Sequence, residues 1–382
     1  MMVLKFGGAV LGSADGLRRM VELVRAHGQG PCVIVVSAMA SATRDLEYIG
    51  ALAVRGDRAA ATAAADELVG RHRALVTEML PQDAAAGGLH GLLDAVRAEL
   101  DALIEGIAIT GQLTPRTLDT VLSVGELLSL HIVRHTLAAA GCTACSVDAR
   151  RIVVTDEVHG QATPLVEQTS MRVEHDLRPL LASHDCVVVQ GFVGRSEQGA
   201  TTTMGKESSN LTAVLLASVL NVPDVVIYTD VAGVRSGDPA ECGTTLPRPS
   251  MSYAEARHAA VNGVKILYPT MIDPAERASV TVTIASIHGG AETRIGPDGG
   301  PCGPIVITRR VDDTNTTITC VFAAGPAWLE AVRAVTNTSS PSWFDMTWSH
   351  ADSTGTLTVS SDLAPTAVLT LHDCMTSNET RS

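Results

Sequence analysis

The sequence predicts an α/β fold in which helices cover both faces of a mostly parallel sheet. Two observations carry this prediction. Short apolar segments alternate with longer helical segments through most of the chain, an order that is typical of parallel sheets. The segment 187–239 also reads as a strand, a polar loop with glycine, a helix and a second strand. That is the order of a βαβ unit, whose loops bind ligands at the carboxyl ends of the strands.

The local signals place most of the elements. Ser13 has the position of an N-cap before an amphipathic helix, and Pro115 occupies the first turn of another. The expected strands are 2–6, 31–37, 144–147, 187–189, 225–228 and 280–285. The expected helices are 14–26, an alanine-rich region over 45–103, 114–137, 209–220 and one that opens near 251.

A turn cluster, GPDGGPCGP, begins at Gly296 and marks a change of composition. We therefore expect one domain over 1–297 and a small α+β domain over 304–375. The second domain reads as strand, helix, two strands and helix, over 316–322, 326–335, 343–350, 354–360 and 365–375.

Composition limits the function. The chain has 382 residues, of which 46% are apolar and 18% charged, so it can bury a large core. A net charge of −13 without a Lys/Arg-rich run argues against nucleic acid or a membrane surface as a partner. No apolar run spans a bilayer, and no signal peptide is evident, so we expect a cytoplasmic protein. Eight scattered cysteines predict free thiols and no metal site.

Two segments have the chemistry of an anion site. In Lys5-Phe6-Gly7-Gly8 a lysine ends a strand and two glycines follow, so a cation and backbone N–H groups can approach a phosphate chain. The helix expected from Ser209 follows a loop rich in Gly, Thr and Ser, and its N-terminus presents free N–H groups to an anion.

These segments resemble the aspartate kinase branch of the amino-acid kinase family. The resemblance rests on KFGG at Lys5, VVSAM at Val35, GE at Gly125, TTTMGKESSNLTA at Thr201 and YTDVAGV at Tyr228, followed by DP at Asp238. It covers about 2–295, and the later segment is similar to a single ACT regulatory module without its last strand. The resemblance implies an amino-acid-kinase fold and a homodimer.

The resemblance also implies a reaction and its residues. ATP with Mg²⁺ would phosphorylate the side-chain carboxylate of aspartate or a close analogue, giving an acyl phosphate. Lys5 and Lys265 would be catalytic and would flank the terminal phosphate. The other implied nucleotide contacts are Gly7, Gly8, Thr229, Asp230, Val234, Arg235 and Asp238. The implied contacts of the acid are Ser37, Thr43, Glu126, Phe192, Lys206, Ser209 and Asn210.

Several positions depart from the family pattern. Ala9-Val10 stand where the family has Thr-Ser, and Lys206-Glu207-Ser208-Ser209-Asn210 stand where it has Arg-Gly-Gly-Ser-Asp. A lysine lacks the planar fork of arginine, and an asparagine lacks the counter-charge for an ammonium. We therefore expect a divergent carboxylate kinase that acts on aspartate or an aspartate-like acid, and acids whose amine is modified or absent are among the candidates. The alternative is a catalytically weak homologue that binds ligands and regulates a partner.

Overall fold

The structure, a computed structural model, describes residues 1–28, 30–80, 84–264, 266–338, 345–349, 351 and 353–377, and their side chains except those of 84–87 and 336–338. The chain forms two units, Met1–Val231 and Ala232–Ser382. The domain limits expected from the sequence, 1–297 and 304–375, stay predictions.

The first unit is built around a parallel sheet. Its elements in chain order are β1 (Met2–Phe6), α1 (Gly8–Leu11), α2 (Ala14–Ala26), β2 (Cys32–Val36), α3 (Ala42–Val54), α4 (Arg58–Met79), α5 (Ala84–Thr110), α6 (Pro115–Ala139), β3 (Ala144–Val147), α7 (Ala149–Ile152), β4 (Val154–Thr155), α8 (Val166–Arg172), a π-helical turn (Val173–Leu177), α9 (Arg178–Leu181), β5 (Cys186–Gln190), β6 (Val193–Ser196), β7 (Thr201–Thr203), α10 (Ser209–Leu220) and β8 (Asp224–Thr229). The order β3-β5-β2-β1-β8 is parallel throughout. Strands β2 and β5 are buried along their whole length, as their valine-rich sequences require.

Helix boundaries in this unit follow from caps. The Ser13 hydroxyl accepts a hydrogen bond from the backbone N–H of Gly16 over 3.1 Å and begins α2 at the predicted residue. Thr114 caps α6 in the same way, with Pro115 in its first turn. The alanine-rich region is helical as predicted and contains α3, α4 and α5. Gly56 has a φ of 78° and Asp57 caps α4, which separates α3 from α4.

The segment after β5 differs from the predicted polar loop. It forms β6 and β7, which pair antiparallel with Val193 opposite Thr203, and β4 pairs with β6 in the same small sheet. Threonine is favourable in strands. The glycines around residues 201–203 indicated a loop instead, so β6 and β7 were not predicted.

The second unit carries two groups of strands. Its elements are α11 (Pro239–Cys242), β9 (Ser250–Met251), α12 (Tyr253–Val261), α13 (Pro269–Arg277), β10 (Thr281–Ser286), β11 (Thr293–Ile295), β12 (Ile305–Arg310), β13 (Asn315–Val321), α14 (Gly325–Thr338), β14 (Asp345–Ser349), β15 (Thr354–Ser360) and α15 (Ala364–Thr376). Strand β11 pairs antiparallel with β10 and parallel with β9. Helix α13 and strands β11 and β12 were not predicted from the sequence.

An antiparallel sheet of order β12-β13-β15-β14 forms the C-terminal part. Helices α14 and α15 pack on it around Trp328, whose side chain is fully buried with Ile318, Leu357 and Leu371. The predicted strand 343–350 is confirmed over Asp345–Ser349, and its remaining residues lie outside the described ones. Among the described residues no helix combines the length and the apolar character that crossing a bilayer requires.

Candidate active site

The carboxyl ends of β5, β2, β1 and β8 lie side by side at one edge of the first unit's sheet. Gly7 follows β1, and its N–H donates to the carbonyl of Tyr228 in β8 over 3.0 Å. Gly191 follows β5, and its N–H donates to the carbonyl of Val36 in β2 over 2.8 Å. Loops at this edge of a parallel sheet form the usual ligand site of α/β proteins.

Ala38 is the common neighbour of three predicted site segments. A Cβ on Gly8 would lie 2.2 Å from the Ala38 carbonyl oxygen, so no side chain fits at position 8. A Cβ on Gly125 would lie 2.9 Å from Cβ of Ala38. The backbone N–H of Ala38 donates to Oε1 of Glu126 over 3.2 Å. The Lys5 motif, the end of β2 and the Gly-Glu pair of α6 are therefore in contact.

Lys5 is a buried cation near the end of β1, with a side chain only 6% exposed. Burial lowers the pKa of its ammonium to about 8, and the negative charge of Glu207 offsets part of this effect. A buried ammonium is costly unless an anion compensates it. An anionic ligand at this edge of the sheet would supply that compensation.

Glu126 is a buried carboxyl on α6, 4% exposed. Burial raises its pKa to about 8, and the N–H of Ala38 offsets part of the rise. Its Oε2 atom has no hydrogen-bond partner among the described residues. Buried polar atoms without a partner are rare in native proteins and call for a ligand or a water. The cationic end of a substrate would satisfy Oε2.

The loop predicted to bind the acid, Gly205–Asn210, leads from β7 into α10 and is called the acid-binding loop below. A Cβ on Gly191 would lie 2.6 Å from Cα of Ser209, so the absence of a side chain lets α10 begin against the end of β5. Phe192 has a φ of 68°, and its N–H donates to Oγ1 of Thr212 over 3.2 Å. Within the described residues Oγ of Ser208 and Oδ1 of Asn210 are buried without a partner.

The two charged residues of this loop point into solvent. Lys206 is 75% exposed, and its Nζ lies 3.0 Å from Oε1 of Glu47 on α3. Glu207 is exposed with a φ of 66°, a conformation that glycine adopts at lower cost. The family has glycine at this position, so the substitution adds both a charge beside Lys5 and backbone strain.

The remaining predicted residues of the first unit lie at the same edge of the sheet. Ser37 follows β2 directly and Thr43 is in the first turn of α3, both half-buried. Thr229 ends β8, and its hydroxyl donates to the carboxylate of Asp230 over 2.9 Å. Among the first unit's candidates, the order of the strands places Gly7, Gly8, Thr229 and Asp230 on the β1/β8 side and Ser37 and Phe192 on the β5/β2 side.

Three predicted nucleotide residues belong to the second unit. The N–H of Val234 donates to Oγ1 of Thr293 over 2.8 Å. The guanidinium of Arg235 bonds to the hydroxyl and carbonyl of Thr245. Asp238 caps α11 through the N–H of Ala240 over 3.0 Å. These contacts hold the segment's own turns together.

Lys265, the second predicted catalytic residue, lies outside the described residues. Its convergence with Lys5 therefore stays a prediction.

The described residues contain no group of three or more His, Cys, Asp or Glu side chains that could hold a metal ion. Mg²⁺ in kinases is held by one or two carboxylates together with the phosphates of the nucleotide. The donor set would fit a magnesium ion that arrives with a nucleotide, with Asp230 as one carboxylate among the predicted nucleotide contacts.

Sequence reasoning missed a buried carboxylate near the acid-binding loop. Asp119, 1% exposed, accepts hydrogen bonds from Thr203, His159 and the N–H of Gly160. The sequence contained a signal for this residue. Asp119 precedes Glu126 by seven residues on one helix, and that spacing places both side chains on the same helix face.

The fold and the site define a class of protein. Residues 1–286 match the model of the amino acid kinase family. The chain therefore belongs to the amino acid kinase family.

Within this family its similarity is to aspartokinases. It is 28% identical over 290 residues to lysine-sensitive aspartokinase 3 of Escherichia coli (strain K12), which covers 75% of this chain and 61% of that protein. It is 28% identical over 326 residues to chloroplastic aspartokinase 1 of Arabidopsis thaliana, covering 84% of this chain and 54% of that protein. For the chloroplastic bifunctional aspartokinase/homoserine dehydrogenase of Daucus carota the identity is 28% over 285 residues, covering 74% of this chain and 30% of that protein. The chain thus spans less than two thirds of the length of each relative. The expected resemblance to the aspartate kinase branch is confirmed.

Solved structures confirm the predicted fold class. Aspartokinase III of E. coli in complex with lysine and aspartate superimposes with a TM-score of 0.72 at 24% identity, covering 98% of this chain and 83% of that chain. Aspartate kinase of Clostridium acetobutylicum gives a TM-score of 0.74 at 14% identity, covering 98% of this chain and all of that chain. The likeness extends over both units and concerns the fold.

Proposed function

We propose that this protein is an ATP-dependent kinase that phosphorylates the side-chain carboxylate of aspartate or a close analogue. The observation that carries the proposal is the presence of two buried ionisable groups, one near the end of β1 and one bonded to the N–H of Ala38. Lys5 is a buried ammonium at the end of β1, and Glu126 has a buried oxygen without a partner among the described residues. The Lys5 ammonium would neutralise the phosphoryl group during its transfer. The Glu126 carboxyl would bind the ammonium of an amino acid.

The chemistry needs no general base. A carboxylate has a reference pKa near 4, so it is already ionised at pH 7 and can attack a phosphoryl group directly. Catalysis then consists of aligning two anions and neutralising the charge between them. Lys5 would hold the phosphate chain together with the N–H groups of Gly7 and Gly8, and Mg²⁺ bound to ATP would supply further positive charge.

The acid would lie on the β5/β2 side of Lys5. Ser37, Thr43 and Glu126 border this side, and the acid-binding loop covers it with Ser209 and Asn210. Lys206 is the cation of the acid-binding loop and would bind the second carboxylate of the acid substrate. In the ligand-free protein its ammonium pairs with Glu47. The proposal includes a cytoplasmic homodimer, with Val234, Arg235, Asp238 and Lys265 as further nucleotide contacts.

The test is a trapping assay with ATP, Mg²⁺ and a panel of acids. Hydroxylamine converts an acyl phosphate into a hydroxamate, which is measured by its colour with iron. The panel contains aspartate, N-substituted aspartates, succinate and glutamate. We expect hydroxamate from at least one four-carbon acid, and about 10²–10³-fold less from K5M at the same protein concentration.

The outcomes separate the alternatives. A preference for free aspartate would remove the modified-amine hypothesis and leave an ordinary aspartate kinase. Nucleotide binding without hydroxamate from any acid would overturn the kinase proposal and favour the ligand-binding regulator.

A further inference from the structure

Asp119 is a buried carboxylate with several hydrogen-bond donors near the site. Its Oδ2 atom accepts from Nδ1 of His159 over 2.7 Å, and its Oδ1 atom accepts from the hydroxyl of Thr203. The N–H of Gly160 lies 3.1 and 3.2 Å from the two oxygens. A carboxylate with this many donors is fixed in one orientation.

The partners of Asp119 belong to the two segments that border the acid-binding loop. Thr203 is the last residue of β7, two residues before Gly205. The carbonyl oxygen of Gly160 lies 3.7 Å from the position of a Cβ on Gly205. The N–H of Ala162 donates to the carbonyl of Thr203 over 2.9 Å. The N–H of Gln161 donates to the carbonyl of Val158 over 3.1 Å and closes a turn over residues 158–161, which we call the His159 turn. The loop's first residue is therefore held between β7 and this turn.

The same helix supports both sides of the acid pocket. Asp119 and Glu126 are separated by two turns of α6, about 10 Å along the axis at 1.5 Å per residue. Glu126 contacts the end of β2 through Ala38, whereas Asp119 contacts the His159 turn and β7. Helix α6 thus sets the distance between the buried oxygen of Glu126 and the beginning of the acid-binding loop.

The side chains of the loop itself add little support at this end. Gly205 has a φ of 91° and no side chain, and the Lys206 side chain is 75% exposed. Its Nζ is paired to Glu47 on the surface, a type of contact that contributes little to order. Backbone bonds run from the N–H of Met204 to the carbonyl of Phe192 over 2.9 Å and from the N–H of Ser208 to the carbonyl of Gly205 over 3.2 Å. The contacts made through Asp119 add buried side-chain hydrogen bonds next to this part of the loop.

We propose that Asp119 and His159 are positioning residues for the acid substrate, acting through Thr203 and Gly160 on the acid-binding loop. The inference rests on the proposed function for the identity of the ligand. His159 acts through its Nδ1–H, because that atom faces Asp119, and its Nε2 makes no hydrogen bond within the described residues. The His159 side chain is 17% exposed.

Paired substitutions separate the roles of the two ring nitrogens. In H159N the amide nitrogen lies near the position of Nδ1 and can still donate to Asp119, whereas in H159Q it lies near Nε2 and cannot. T203V removes the other side-chain donor at nearly the same shape. The matched control is H175N with H175Q, because His175 also bonds an aspartate through Nδ1 but is 83% exposed.

The measurements are KM for the acid, KM for ATP, kcat and the thermal midpoint. Loss of one hydrogen bond to a charged group predicts that H159Q and T203V raise KM for the acid about tenfold. KM for ATP stays within twofold, and H159N restores most of the affinity for the acid. Equal effects of H159N and H159Q, or parallel increases in both KM values, would overturn the positioning role.

A second measurement does not depend on activity. Amide hydrogen exchange of residues 205–210 in the ligand-free protein is expected to accelerate in H159Q and T203V but not in H159N or in the His175 variants. Unchanged exchange in H159Q would refute the inference even if the protein is a kinase. If the exchange pattern holds and no acid is phosphorylated, the loop is positioned as inferred and the proposed function is wrong.

Discussion

Oε1 of Glu126 accepts a hydrogen bond from the backbone N–H of Ala38 over 3.2 Å, while Oε2 is buried without a partner among the described residues. The carboxyl is thus half satisfied by its own chain. Burial disfavours the ionised form of this carboxyl and raises its pKa to about 8.

Glu126 makes the free energy of unfolding depend on pH. Its pKa in the folded protein, about 8, exceeds its ordinary value of 4.5, so the folded state keeps the proton longer than the unfolded state. Stability therefore falls as pH rises from about 4.5 to about 8 and levels off above that. Each pKa unit corresponds to about 1.4 kcal/mol. Urea unfolding at pH 5 and pH 8 should show a smaller difference for E126Q than for the unsubstituted protein.

The control for Glu126 is an exposed glutamate, Glu22, whose side chain is 62% exposed. E22Q should leave the pH difference unchanged. An identical pH difference in E126Q and in the unsubstituted protein would show that the carboxyl does not titrate as its burial implies.

Lys5 predicts a second pH effect of opposite sign. Its pKa in the folded protein, about 8, lies below its ordinary value of 10.5, so the unfolded state binds the proton more tightly. Its contribution to stability therefore rises with pH between about 8 and 10.5. Nucleotide affinity should fall over the start of the same interval, because the ammonium that attracts the phosphates is lost. Titration calorimetry with an ATP analogue at pH 7 and pH 9 measures this.

Substitution of Lys5 should separate stability from turnover. K5M removes a buried charge at similar volume, so we expect the thermal midpoint to be kept or raised. The rate constant kcat should fall by about 10²–10³-fold, as for loss of one electrostatic stabiliser of a transition state. A K5M protein that keeps most of its activity would contradict the role of Lys5.

Lys206 should affect affinity for the acid and leave stability unchanged. Its pair with Glu47 is exposed, so K206M is expected to change the free energy of unfolding by less than about 1 kcal/mol. Loss of the charge should raise KM for the acid about tenfold if the ammonium binds a carboxylate. E47Q is the companion variant, because it frees the same ammonium and should keep or lower KM. An unchanged KM in K206M would place the second carboxylate elsewhere.

Gly8 should tolerate no side chain. In G8A the new Cβ would meet the Ala38 carbonyl at 2.2 Å, so the Lys5 motif and the end of β2 must separate. We expect a loss of about 1–3 kcal/mol in stability, the usual cost of overpacking, and loss of activity. G70A is the matched control, since nothing lies within 4 Å of its Cβ and Gly70 is inside α4. It should stabilise the protein by about 0.5–1 kcal/mol. Equal effects of the two changes would contradict the packing described here.

Local signals were sufficient for most elements that position the site. Ser13, Thr114 and Pro115 are caps and first-turn residues whose effect is confined to a few neighbours, so the helices that follow them begin where predicted. Helix α10 was predicted over its observed range for a related reason, because it is apolar on nearly every side and bounded by polar loops.

Contacts between distant segments could not be read in this way. Asp119 and His159 are 40 residues apart, and nothing in the local sequence of either specifies the other. The pairing of Lys206 with Glu47 likewise depends on where α3 passes the acid-binding loop. Strand β12 was missed because its flanking prolines and glycines read as a linker, whereas its pairing with β13 is a tertiary contact.

Strand β12 also determines where a separately expressed C-terminal fragment can begin. It forms one edge of the C-terminal sheet, with Ile305 opposite Val321 and Arg310 opposite Thr316. A fragment that starts after Arg310 would leave the polar backbone of β13 uncovered and open to pairing with other chains. A separately expressed C-terminal piece must therefore begin before Ile305, and one that begins later should aggregate.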